Sequence, residues 1–346
     1  MAYTTINKST DYFNTKLYTG NGGTQSITGV GFQPDFSWLK NRSATQHHQL
    51  FDAIRGATKR IYSSSTAAED TGSDTLTAFD SDGFSVGANG GVNGNGNNIV
   101  SWNWKAGTTG SGTTTGSGTG KAYSYSVNTT SGVSIVKYKG NGTSGHQIPH
   151  HLGVAPNMTI IKKTSATEDW IVQNSVSGWD KRLILNGTYA EASHTDFISG
   201  VSTTTFSLYT NGSVNTNDGD YIAYCFAGKT GFSKFGKYQG NASSDGTFVY
   251  TGFKPAFVVI KRTDSATGGY WVMLDNKRNS FNVIDKYLYA QGNDAENDSD
   301  IIDFYSNGFK PRVSNLIHNG SGATYFYMAF AQAPLVGSNN VPCTAR

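Results

Sequence analysis

Cysteine is nearly absent from this chain. Cys225 and Cys343 are the two in 346 residues, too few for a disulfide framework, and both are expected as free thiols of a protein made in a reducing cytosol. Charge is thin as well. Asp, Glu, Lys and Arg make up 15% of the sequence, and 27 basic residues against 24 acidic leave a net charge of +3. That balance gives no electrostatic basis for nucleic acid or an anionic membrane as the main partner. No apolar run approaches the ~18 residues of a membrane helix, so no membrane insertion is expected. The start, MAYTTINKST, has neither the charged beginning nor the apolar core of a secretory signal. Amphipathic helical periodicity is missing too; only AAED (67–70) and YAEAS (189–193) suggest short helical turns.

What is present favours strands. Glycine occurs 42 times, and tyrosine and phenylalanine 19 times each. Runs such as SIVKY, TIIKK, WIVQN and TFSLY are short, β-branched or aromatic, and bounded by turn residues, the pattern of an all-β sandwich or barrel.

The sequence also repeats itself. GFQPDFSWLK (31–40), GVAPNMTIIK (153–162) and GFKPAFVVIK (252–261) align without gaps, and their prolines stand 122 and 99 residues apart. Those are domain-sized intervals, longer than the ~20–50 residues of a solenoid period. The flanks repeat as well: Tyr-x-Gly-Asn upstream (Tyr18, Tyr138 and Tyr238), an Ala-Glu pair midway (Glu69, Glu191 and Glu296), and a closing aromatic strand (VSWNW, IAYCF and FYMAF). Strand side chains alternate between faces. Phe36, Trp38, Trp102 and Trp104 in the first copy therefore form one stripe. Met158, Ile160, Tyr224 and Phe226 do so in the second, and Phe257, Val259, Met328 and Phe330 in the third. With Gly31, Pro34, Lys40, Gly153, Pro156, Lys162, Gly252, Pro255 and Lys261 they make the repeat signature. The stripes are expected to fill the interiors of three sandwiches.

The expected fold is all-β, three tandem repeated β-sandwich (jelly-roll-like) domains at 14–106, 121–231 and 232–336. Residues 1–13 form an N-terminal arm and 337–346 a C-terminal tail. The stretch 107–120, GTTGSGTTTGSGTG, has no apolar residue and reads as a flexible spacer, whereas the second and third copies join almost directly. The arm carries Tyr3, Ile6, Tyr12 and Phe13 with no identifiable strand partner, so these four are candidate residues for docking onto another chain.

Motifs for chemistry are weak. His47-His48 and His150-His151 are adjacent pairs, and neighbours on a strand face opposite ways, so loop filling is expected rather than metal binding. DSDG (80–83) and NDAENDSDIID (293–303) have the composition of calcium loops without the ligand spacing, and read as solvated acidic loops. There is no GxxxxGK[ST], and the glutamate shared by the copies is alone in each. No cofactor, metal or catalytic residue is expected, and the chain reads as a non-enzyme.

TDYFNTKLYTGNGGTQSITGVGFQPDFSWLKNR, SWNWKAG, AYCFAGKTGFSKFGKYQGN and YMAFAQAPLVGSNNVP resemble repeat-containing virion proteins of marine tailed bacteriophages, over nearly the whole length. The resemblance implies a virion component made in the host cytoplasm, with other tail or capsid proteins as partners. It carries over no catalytic residues. A tail- or head-attached fibre-like appendage that contributes to host adsorption, touching surface glycan, is the first expectation; serial sandwiches suit it. A capsid decoration protein is the alternative, since three copies in one chain can form a pseudo-threefold unit; a homo-oligomer is compatible with either. A glycan-degrading enzyme comes third, because no carboxylate pair in a groove is legible.

Overall fold

The computed structural model describes residues 4–334, so Tyr3, Cys343 and the tail 337–346 lie outside the described residues. The chain is all-β. Three times it lays down the same antiparallel sheet, from a lead, an opening, a follower and a closing strand. These are Phe13–Thr19, Phe36–Asn41, Gln49–Asp52 and Asn98–Trp104 in the first copy. The second uses Val133–Lys139, Met158–Lys163, Ile171–Asn174 and Asp220–Phe226, and the third Ser233–Gln239, Phe253–Arg262, Trp271–Asp275 and Thr324–Pro334. The spatial order is lead, closing, opening, follower in every copy. The register repeats as well: Phe36 faces Trp104, Met158 faces Phe226 and Phe257 faces Phe330.

The stripes do not fill three separate sandwich interiors. They meet one another. Phe36 stacks on Tyr224 with centroids 4.3 Å apart, Trp102 packs on Phe257 at 5.5 Å, and Trp104 reaches Phe226 at 6.3 Å and Phe330 at 5.7 Å. One buried cluster holds the apolar stripe residues of all three copies. The opposite faces build three smaller cores, against separate smaller sheets in the first two copies and against the returning strands of the same sheet in the third. In the first, Leu39 and Phe51 meet Phe84 and Val86. In the second, Ile161 and Cys225 meet Ile148 and Phe206, and in the third Val258 and Ile260 meet Phe304 and Phe309. The sheets are therefore covered on both sides, and the opening strands of the first two copies are buried at every residue. Double burial replaces polar-apolar alternation with apolar runs such as MTIIK.

The signature residues earn their places locally. Gly31, Gly153 and Gly252 have φ of +93°, +73° and +85°, a region that side chains disfavour. Pro34 and Pro156 precede the opening strands, and Pro255 sits inside one where the register shifts, a position that tolerates a missing N–H. In Tyr-x-Gly-Asn, the hydroxyls of Tyr18, Tyr138 and Tyr238 donate to the carbonyls of Val92, Val214 and His318. A Cβ on Gly20, Gly140 or Gly240 would stand 2.2–2.3 Å from a backbone oxygen.

Several expectations are corrected. The stretch 107–120 is not a slack spacer: Thr108–Thr113 pairs with Ala122–Asn128, which pairs with the lead strand of the second copy, and Thr115–Gly116 pairs with His146–Pro149. Its glycines seat aromatic rings, since a Cβ on Gly110 would lie 2.6 Å from Tyr125 and one on Gly112 3.0 Å from Tyr123. From residue 4 onward the arm is spent inside the chain. Ile6 and Phe13 are buried in the shared core, Phe13 stacks on Phe330 at 5.1 Å, and Tyr12 meets Phe232 edge-on at 6.1 Å. AAED and YAEAS are not helical; the short helices are Gly90–Asn93 and Gly212–Asn215, capped by Asn89 and Asn211. The acidic stretch from 293 onward runs into a strand, Asn297–Tyr305.

Candidate functional site

The repeated lysines lie at the seams between copies. Lys40 Nζ donates to Asn41 O (2.6 Å), Ala44 O (3.3 Å) and, across to the third copy, Asn293 O (3.4 Å). Lys162 Nζ donates to Lys163 O (2.9 Å), Glu168 O (3.0 Å) and Thr66 O (3.0 Å) of the first copy. Lys261 Nζ donates to Gly269 O (2.5 Å), Tyr189 O (2.9 Å) and Thr188 O (3.1 Å), the last two in the second copy. All three side chains are fully buried. Burial pulls the ammonium of Lys40 and Lys162 down to about 8 and that of Lys261 down to about 7.

The repeated Ala-Glu pairs form the other side of the same seams. The N–H of Glu69 donates to Thr164 O, that of Glu191 to Thr263 O and that of Glu296 to Arg42 O, at 2.9, 2.7 and 2.9 Å. First joins second, second joins third, and third joins first. The seams are head-to-tail and the ring closes, which is the geometry of a cyclic trimer realised in one chain.

Two seams carry a buried ion pair. Arg55 Nε lies 2.5 Å from Asp52 Oδ2, Arg55 reaches Glu69 at 3.2 Å, and Tyr224 of the second copy donates its hydroxyl to Asp52 Oδ2 at 2.8 Å. Arg278 repeats this with Asp275 (2.6 Å) and Glu296 (3.1 Å), and Trp102 Nε1 of the first copy donates to Asp275 Oδ2 at 3.0 Å. At the remaining seam the corresponding positions are Asn174, Ser177 and Met328, and Asn174 Oδ1 accepts from the backbone of Val176 and Ser177 instead. Sequence reading missed these pairs, though D-x-x-R recurs at 52–55 and 275–278, 12 and 14 residues after the repeated Lys40 and Lys261.

The histidines fill structural positions of several kinds. His48 is buried, not a loop filler: Trp38 Nε1 donates to its Nδ1 at 2.8 Å, and it occupies the position of Trp170 and Trp271, whose indoles donate across seams to Tyr62 O and Ile184 O. His47 meets Ser64 at the surface. His146 lies between Asn215 and Thr114, at 3.0 and 2.7 Å, and His151 stacks on Tyr125 with centroids 3.7 Å apart. Burial lowers His150 to about 4 and His318 to about 3.

These groups hold the ring. A site open to solvent lies elsewhere, in the third copy, as a groove of about 910 Å³ between the lead strand Ser233–Gln239 and the short strand Val249–Tyr250. These two strands are the opposite ends of one continuous sheet order, and the groove is the gap between them. Phe248 and Tyr250 on its rim are 46% and 50% exposed. Lys234 Nζ crosses it to Tyr250 O at 2.7 Å and stands 5.1 Å from the Tyr250 ring centroid, while Thr247 Oγ1 donates to Gln239 O at 2.7 Å. Most of the signature residues thus converge on the shared core and the seams, while Gly31, Gly153, Gly252 and the three prolines shape the turns and opening strands; none lines the groove except at its distant end, where Gly252 borders a smaller adjoining hollow.

No curated protein and no solved structure matches the chain significantly. One family profile does match, over residues 8–334, taking in all three copies as a single span. The chain therefore belongs to the family described as a domain of unknown function, DUF7483.

Proposed function

We propose that the protein is a non-enzymatic structural component of a bacteriophage virion, a fibre-like appendage fixed to tail or head that contributes to host adsorption. The observation that carries this reading is the closed ring: three sheets share one aromatic core, and three head-to-tail seams lock it with buried lysines. Such a body is rigid and presents its loops outward, where recognition is tolerated. The resemblance to virion proteins of marine tailed phages supplies the particle. A second reading, decoration of the capsid, is favoured by the same pseudo-threefold ring, which suits a threefold site on a shell.

Purified particles of a phage encoding the chain test the proposal. Mass spectrometry is expected to find it at stoichiometric levels, and immunogold labelling to mark tail or portal vertex. Label spread over the shell would select decoration, and absence from particles would overturn both readings.

A further inference from the structure

The groove of the third copy has an internal precedent. In the second copy the same gap, between lead strand Val133–Lys139 and strand His146–Pro149, is occupied. The strand Ala122–Asn128 pairs with the lead strand, Tyr123 opposite Tyr138 and Val127 opposite Ser134, while Thr115–Gly116 pairs with the other rim. The two lead strands are equivalent, since Tyr138 and Tyr238 both begin a Tyr-x-Gly-Asn motif and pair alike with their closing strands. In the third copy the join from the second is short, no hairpin is inserted, and beyond a single bridge from Lys229 to Ser233 the outer edge of Ser233–Gln239 has no strand partner among the described residues. Gly240 N–H donates to Ala323 O on the inner side. By the alternation of antiparallel pairing, Phe235 and Lys237 then turn their main-chain groups to the open side.

The geometry points to a strand-acceptor site: the third copy takes an extended segment of a partner protein along Ser233–Gln239, as the second copy takes its own Ala122–Asn128. Main-chain hydrogen bonds supply affinity and alternate side chains supply selectivity. The filled gap and the open one place their charge differently: Ser134 is replaced by Lys234 and Lys139 by Gln239, while the exposed Lys137 and Lys237 correspond. The partner strand therefore carries a carboxylate where the internal strand carries Val127. Its alternate positions are aromatic, like Tyr123 and Tyr125, to lie along the groove beside Phe248 and Tyr250.

A fluorescein-labelled synthetic peptide of residues 120–130 bearing Val127→Glu is the probe, titrated into the full chain with anisotropy and hydrogen exchange as readouts. Saturable binding with slowed exchange at 233–239 is expected. The peptide with Val127→Lys should bind about tenfold more weakly, a difference of ~1.4 kcal/mol. Lys237→Pro removes one outward N–H at an edge position that tolerates proline and should abolish binding without changing the melting curve. Lys234→Glu, a second variant, should reverse the peptide preference. No protection at 233–239 with millimolar peptide, or binding indifferent to both variants, overturns the proposal. So does binding only after truncation beyond Pro334, which would make the chain's own tail the occupant. A concentration-dependent dimer abolished by Lys237→Pro would make a second copy the occupant, and would equally overturn it.

Discussion

At the scale of the residue, the buried cations are the unusual feature, and they set a pH dependence. Lys40, Lys162 and Lys261 titrate near 8, 8 and 7 in the fold and near 10.4 when unfolded. The unfolded chain then binds more protons between those values, so stability rises with pH from about 7 toward 10. His150 and His318, lowered to about 4 and 3, act in the same sense further down: their stabilising effect is complete above about 6.5 and is lost as pH falls toward 4. Urea midpoints at pH 4.5, 7 and 9.5 should increase in that order, and a flat or falling series would refute the burial of these groups. A second residue-scale expectation concerns Arg278. Arg278→Ala leaves Asp275 buried without its cation at a seam, at a cost of about 3–5 kcal/mol. Lys286→Ala, at a partly exposed pair with Asp298, should cost under about 1 kcal/mol. Comparable losses for the two by chemical denaturation would contradict the seam.

At the scale of the element, strand identity was legible and strand environment was not. Period two placed Trp102 and Trp104 on one face, which holds. It could not say what that face meets, because a sheet covered on both sides shows apolar residues on both, as with Ala223 and Cys225 against Tyr224 and Phe226. The repeat signature included Lys40 without a role, because its acceptor Asn293 lies 253 residues away. The 107–120 stretch misled for a related reason: composition marks glycine as slack, but Gly110 and Gly112 are seats for Tyr125 and Tyr123. The arm was misjudged because Ile6 finds its neighbours in the core shared by all three copies rather than in the first alone. The groove left no mark at all, being the place where an element is missing. Removing residues 4–13 strips Ile6 and Phe13 from that core, each worth about 1.5–3 kcal/mol. The truncated chain should melt several degrees lower in calorimetry, and an unchanged midpoint would return the arm to the role of a free docking segment.

At the scale of the whole molecule, the three copies are one cooperative body. Trp104 touches Phe13 and Phe36 in its own copy, Phe226 in the second, and Phe257 and Phe330 in the third. Trp104→Ala should cost about 3–5 kcal/mol and lower a single transition. A calorimetric trace in which one third of the enthalpy moves while the rest stays would show independent copies. The closed ring has one more outcome, which lies in its unequal seams. Tyr224 is matched to Asp52 and Arg55, Trp102 to Asp275 and Arg278, and Met328 to neutral Asn174 and Ser177. Each joint is a different lock, so the copies cannot trade places: a gene with its second and third segments exchanged would set Trp102 against Asn174 and leave Asp52 facing Met328 without its hydroxyl donor. Shape is close to threefold, yet the molecule has a fixed clockface, with the groove of the third copy at one hour. On any support of true threefold symmetry, a single molecule would settle in one of three equivalent rotations and point that groove in one of three directions.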